Sequence, residues 1–398
     1  MPVPRFTPFP AIRYTTADLH DLVAPPYDVL SDADLDVLQA RSPYNITHVD
    51  VPRESWGPGR YEAAAARLDA WLAADVMAPD PEPSYTLYRL DFTDATGAPR
   101  RTVGVLGGLE VVDEGAGGVL PHERVTPKAS TDRLDLTRAT RANLSPIWGL
   151  SLAAGLSSLL SAPAEHLATV ELDGVEHRVE RVTDPDRVEA IRAAIATDDV
   201  LIADGHHRYG VARRYRDEVR AARIGATDAG PAEDTLAFVS ELVADQLSVE
   251  AIHRLYADVG WDDLVTALDR SFELVPTDPP SPATLRTMEE RGALYLVGPG
   301  GRHHWLEPRP GAFVGERALD GAWLERALGD VAHTVRYQHG VDAVVEAVRA
   351  GTATAGVLIR PVGVAEIERT AREGLLMPPK STFFTPKLLT GLVLRSLR

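Results

Sequence analysis

The stretch Leu201-Ile202-Ala203-Asp204-Gly205-His206-His207-Arg208-Tyr209 decides how the rest of this chain is read. The apolar run from Val200 to Ala203 predicts a buried strand; Asp204-Gly205 cuts it, and a helical pattern begins at once and continues through Val219. A strand, a tight turn and a helix N-terminus therefore follow one another directly. The turn gathers a carboxylate, two imidazoles and a guanidinium where the positive end of a helix dipole favours an anion, phosphate above all. A plainer reading stands beside this one, in which Asp204 caps the helix and Gly205 turns the chain. Core packing, however, does not ask for this many polar groups in one place.

The chain has 398 residues, 44% of them hydrophobic and 25% charged, which is ordinary for a folded protein of two or three domains. Its formal charge of −17 disfavours nucleic acid and anionic membranes as general partners. No apolar run reaches membrane-spanning length and no signal-peptide core follows Met1, so the expectation is a cytoplasmic protein. With no cysteine there are no disulfides, thiolate metal sites or cysteine nucleophiles, and any metal must be held by His, Asp, Glu or substrate. Lysine usage is informative. Of 41 basic residues only Lys128, Lys380 and Lys387 are lysine, and each follows a proline. A chain that uses arginine elsewhere keeps lysine where a compact point charge is wanted, as at a phosphate.

Near the N-terminus, Val23-Ala24-Pro25-Pro26-Tyr27-Asp28-Val29 is a rigid extended arm that delivers Tyr27 and Asp28 to a fixed place. Ser31 caps a helix over 32–40, 45–51 reads as a strand, and 61–76 as an amphipathic helix. Strands are predicted over 85–92 and 101–112, then 147–152, 168–172, 176–182 and 236–243, with Asp173-Gly174 as a hairpin turn. The loop Pro121-His122-Glu123-Arg124-Val125-Thr126-Pro127-Lys128 holds acid, imidazole and cations between prolines, and a helix over 132–142 follows it. His253 in an apolar run reads as a core histidine, and His303-His304 on a strand point to opposite faces rather than forming a metal pair. The segment 331–371 alternates strand and helix, which predicts a small α/β layer. The chain then enters Met377-Pro378-Pro379-Lys380-Ser381-Thr382-Phe383-Phe384-Thr385-Pro386-Lys387, whose lysines and hydroxyls suit phosphate and whose aromatics can stack on a base. The fold class expected is α+β or mixed α/β, divided into 1–250 and 251–398.

Asp204-Gly205-His206-His207-Arg208 resembles the nucleotide-binding motif of the ParB/sulfiredoxin-like superfamily, which includes ParB CTPases and ParB-like free serine kinases. Taken with Ala24 to Val29, Pro121 to Arg124, Arg138-Ala139-Thr140-Arg141-Ala142-Asn143-Leu144-Ser145-Pro146, His253-Arg254 and Met377 to Phe384, the whole chain resembles the family catalogued as domain of unknown function 1015. The resemblance implies a ParB/sulfiredoxin-like core over 1–250, a C-terminal α/β domain over 251–398, and a nucleotide such as ATP, ADP or CTP cradled at Asp204 to Arg208. On that reading Arg208 pairs with phosphate beside Gly205, His206 or His207 donates to it, and Asp204 holds Mg²⁺. Glu123 is the candidate general base, with Asp28 as rival. Arg124, Lys128, Lys380, Ser381 and Thr382 would add contacts to the nucleotide. Sulfiredoxin's own reaction uses a cysteine, which this chain lacks.

Three functions follow from these residues. The first is an enzyme that moves a phosphoryl group from a nucleotide to a small hydroxyl-bearing acceptor such as serine, or to water. The second is a nucleotide-gated regulatory or adaptor protein of ParB type; that would need a helix-turn-helix and a basic face, and the sequence shows neither. The third is a structural protein whose motifs only tie loops together. The expected partners are a nucleotide and a small acceptor, with no membrane or nucleic acid, and a homo-oligomer is compatible with the sequence.

Overall fold

The strand that leads to Asp204 lies inside a large mixed sheet. The computed structural model describes residues 3–95, 97–121, 130–222, 230–378 and 380–398. The chain divides into two units: Met1–Ser248 with Glu368–Leu376 and Phe384–Arg398, and Val249–Ile367 with Met377–Phe383. Beside the expected division at 250/251, the chain thus returns to the first unit in two later segments.

In the first unit the sheet runs Val119–Pro121, Val200–Asp204, Ile147–Ser151, Asp234–Glu241, Pro99–Glu110, Tyr85–Thr93, Val175–Val182 and Glu165–Leu172, with Phe6–Thr7 paired to Pro99–Glu110. Val200–Asp204 is parallel to Val119–Pro121 and antiparallel to Ile147–Ser151, which is in turn parallel to Asp234–Glu241. Val200, Leu201, Ile202 and Ala203 are all buried, which is why the strand reads as a continuous apolar run rather than an alternating one. Asp173 and Gly174 both adopt positive φ, as the two-residue hairpin between Glu165–Leu172 and Val175–Val182 requires.

One expected strand is a helix. A strand is expected over 45–51, but Thr47–Asp50 is helical. The Asn45 side chain decides the matter: its Oδ1 accepts from Thr47 N at 3.1 Å and from Thr47 Oγ1, while its Nδ2 donates to Asp21 O at 2.8 Å. A short polar side chain bonded to the backbone two residues on starts a turn, not a ladder.

The second unit is three-layered. Its sheet runs Phe272–Thr277, His303–Pro308, Leu294–Val297, Ala355–Leu358, His253–Ala257 and Thr334–Gln338, every neighbour antiparallel. Leu264, Leu268, Leu324 and Leu328 cover one face; Met288, Val344 and Val348 cover the other. The expected alternation of strand and helix is present. Thr334–Gln338 and Ala355–Leu358 do not pair with each other, because His253–Ala257 lies between them. Taken together the fold is mixed α/β. No helix among the described residues is long and apolar enough to cross a membrane.

Candidate functional site

The geometry of the site begins one residue before the turn. The register between Val200–Asp204 and Ile147–Ser151 shifts, so that Ile202 faces Gly149 whereas Asp204 faces Trp148 and Ala203 is the extra residue. A bulge at the end of a strand re-aims the next side chain. Gly205 then adopts φ +88°, and its carbonyl accepts from Tyr209 N at 2.9 Å to open the helix His206–Ala222. A Cβ at Gly205 would lie 3.1 Å from Ile147 Cγ2 and 3.1 Å from Arg208 Nε. The helix is fixed by Tyr209, whose hydroxyl accepts from Val112 N at 2.8 Å and donates to Glu110 O at 3.0 Å.

Arg208 folds back over the turn. One of its terminal nitrogens donates to Pro146 O and the other lies 3.3 Å from Asp204 Oδ2. The same Asp204 oxygen is 3.3 Å from Lys387 Nζ. Burial alone would raise the Asp204 carboxyl; the ammonium of Lys387 and the guanidinium of Arg208 overcome it and hold the group at about 2. Asp204 is therefore ionised at neutral pH. Arg208 is raised against the opposing effect of burial, chiefly by Asp204, with smaller help from Asp28, Tyr27 and Asp50.

Lys387 reaches Asp204 because the C-terminal segment is threaded through the first unit. Phe384 packs on Trp148 with ring centroids 5.8 Å apart, Leu389 N donates to Tyr88 Oη at 3.2 Å, and Thr390 exchanges backbone bonds with Ala24. That exchange also ties the arm bearing Tyr27 and Asp28 to the tail. The Arg133 guanidinium stands 4.1 Å above the Tyr27 ring and donates to Asp50 O at 2.7 Å and Asp50 Oδ1 at 3.3 Å. Burial pushes the Asp50 carboxyl up despite Arg133 and Arg208. A cavity of about 50 Å³, room for a few waters, has Asp50, Arg133, Ser145, Arg208 and Tyr215 in its lining.

The described residues thus bring Asp204, Gly205 and Arg208 together with Lys387, Asp28 and Tyr27; His206 and His207 occupy the first turn of the same helix. Glu123, Arg124 and Lys128 lie outside the described residues. Lys380, Ser381 and Thr382 belong to the second unit. There Lys380 adopts φ +60°, its carbonyl accepts from Arg254 at 3.2 Å, and the Ser381 hydroxyl donates to Pro378 O at 2.7 Å. His253 is a core residue, as expected: its Nδ1 accepts from Ile359 N at 3.3 Å, and burial holds it at about 4. His303 contacts Tyr295 and His304 contacts Trp261, on opposite faces of their strand.

Among the described residues no three His, Asp or Glu side chains are grouped to hold a metal ion. Asp204, the expected Mg²⁺ ligand, already shares one oxygen between two cations. Two fixed positive charges at that distance oppose a divalent cation, so this donor set does not fit Mg²⁺. Sequence reasoning did not place Asp50, Arg133 or Lys387 in the site. Only Lys387 carries a sequence signal, as one of three proline-preceded lysines.

The chain belongs to the family described as a protein of unknown function, DUF1015, whose model matches residues 6–328. No curated protein matches it. Among solved structures it is similar to a free serine kinase variant in complex with ADP, at 13% identity and a TM-score of 0.38, covering 67% of this chain and 84% of that one. It is also similar to SbnI with a C-terminal truncation from Staphylococcus aureus, at 13% identity and a TM-score of 0.39, covering 72% and 86%. A conserved hypothetical protein from Pyrococcus furiosus gives 12% identity and a TM-score of 0.37, covering 67% and 87%.

Proposed function

We propose that the turn at Asp204–Arg208 binds the phosphates of a nucleotide, ATP, ADP or CTP, and that the protein transfers a phosphoryl group to a small hydroxyl-bearing acceptor such as serine. One observation carries the reading: a single carboxylate is shared by Lys387 and Arg208, each 3.3 Å from its Oδ2, beside the first turn of a helix. The three charges sum to +1, and the helix dipole adds to the same sign. Arg208 pairs with a phosphate oxygen, and His206 or His207 donates to another. Gly205 lets the backbone turn without a side chain in the way. In the transfer, the acceptor oxygen bonds to phosphorus as the bond to the bridging phosphate oxygen breaks; the hydroxyl proton passes to the carboxylate of Glu123, or of Asp28. Phosphoryl transfer of this kind asks the protein for positioning and charge more than for covalent chemistry. Arg124 and Lys128 are assigned to the nucleotide on their chemistry as donors.

Calorimetric titration with ATP, ADP and CTP, with and without Mg²⁺, tests this against an Arg208→Ala control. Saturable binding lost in the control supports the reading. Incubation with serine and nucleotide, followed by product analysis, then separates transfer from hydrolysis. A folded protein that binds none of the nucleotides would overturn the proposal.

A further inference from the structure

We propose that Lys387 is the phosphate anchor of this site, and that its ion pair with Asp204 is an internal stand-in which an incoming phosphate opens. This deepens the reading above and rests on it.

The two cations on Asp204 are built differently. Arg208 is pinned: its guanidinium is planar, and one nitrogen is already committed to Pro146 O. Lys387 has a compact ammonium on a flexible four-carbon stem, which can move from a carboxylate to a phosphate while its backbone stays still. That backbone is held on both sides. Phe384 is packed on Trp148 three residues before it; Leu389 and Thr390 are bonded to Tyr88 and Ala24 just after it. Further along, Leu394 exchanges bonds with Ile12, and Arg395 donates to Pro231 O and Asp234 O. A lysine meant only for solubility needs no such harness, and this one is largely buried. It lies beyond the end of the family match at residue 328. Asp204 keeps the ammonium in place and charged until the ligand comes. Phosphate then takes over as counter-ion, and Asp204 remains paired with Arg208.

Affinities for ADP and for inorganic pyrophosphate would be measured by calorimetry on the full-length wild type, Lys387→Met, Asp204→Asn and the Asp204→Asn/Lys387→Met double variant, with a thermal melt of each. Loss of the anchor raises Kd at least about tenfold in Lys387→Met, equivalent to ~1.4 kcal/mol. Asp204→Asn removes the competitor, so its Kd falls below that of the wild type. The double variant removes both members of the ion pair, its thermal melt reports whether the fold is kept, and it binds as weakly as Lys387→Met. If it instead binds like the wild type, Lys387 only neutralises Asp204 and the inference is overturned. Equal binding by Lys387→Met and wild type overturns it too. Should the wild type bind pyrophosphate but no nucleotide, the nucleotide reading falls and the anchor is judged on pyrophosphate; if it binds neither, both fall.

Discussion

Gly205 is the residue at which the site tolerates least change. Its φ of +88° lies in the region that L side chains avoid, and an added methyl would press on Ile147 and on the Arg208 guanidinium at 3.1 Å. Gly205→Ala is expected to lose about 1–3 kcal/mol, from left-handed strain plus crowding. Because the crowded neighbour is Arg208, binding of the proposed nucleotide should weaken as well. Urea unfolding alongside calorimetry checks both, and an unchanged midpoint would show that the turn relaxes at no cost. Arg133 gives a second case. It is the hydrogen-bond partner of the buried Asp50 carboxylate, so Arg133→Met strands that charge at a cost of about 3–5 kcal/mol. Asp50→Asn in the same chain should recover most of the loss, and urea midpoints of the single and double variants decide it. Asp204 and Gly205 were legible in the sequence because strand, turn and helix are local patterns. The Asp50–Arg133 pair was not, since its partners are far apart in sequence and neither sits in a pattern that foretells burial.

At the scale of elements, the C-terminal segment acts as a strap that completes the first unit. Tyr88 fastens it: the buried hydroxyl accepts from Leu389 N and is 2.7 Å from His177 Nδ1. Tyr88→Phe leaves both groups without their partner, at about 1–3 kcal/mol. It also loosens the segment that carries Lys387, so hydrogen exchange should rise at Leu389 while the helix His206–Ala222 keeps its protection. Equal exchange in variant and wild type would mean that Phe384 and the Thr390–Ala24 bonds hold the strap unaided. The sequence showed this segment as a loop with lysines and aromatics but not its route, because a chain of backbone bonds to Ala24, Ile12 and Asn143 leaves no periodic signature. The helix Asp32–Arg41 was readable by contrast, since Ser31 and Asp34 form a capping box that is itself a sequence pattern. At 45–51 a strand was expected, but in the fold the local hydrogen bonds of Asn45 win.

Across the whole molecule, among the described residues, each unit holds a buried histidine whose proton affinity burial cuts sharply. His177 in the first unit and His253 in the second are both held at about 4, His177 by burial and His253 by burial with help from His339 and Arg254. An unfolded histidine takes a proton near pH 6.5. Between the two values the unfolded chain therefore binds a proton that the native state refuses. The stability each neutral imidazole contributes is full above about pH 6.5 and falls as pH drops toward 4, by about 3 kcal/mol per histidine at the lower end. Asp204 acts in a lower window: its carboxyl sits at about 2 in the native state, so its contribution persists above the ordinary carboxylate value and is lost only as pH falls below it toward 2. A third effect runs the other way, because acidification lowers a net charge of −17 and relieves self-repulsion. The wild-type slope adds these to the other groups whose titration the fold shifts, His48, His303 and His304 among them. His177→Gln cannot take up the proton but keeps a polar group for Tyr88, so the difference between wild type and variant isolates one histidine. Urea midpoints at pH 7, 6, 5 and 4 should converge as pH falls if His177 is responsible, with the variant less stable at pH 7 and less sensitive to acid. Parallel curves would assign the acid response elsewhere in the first unit.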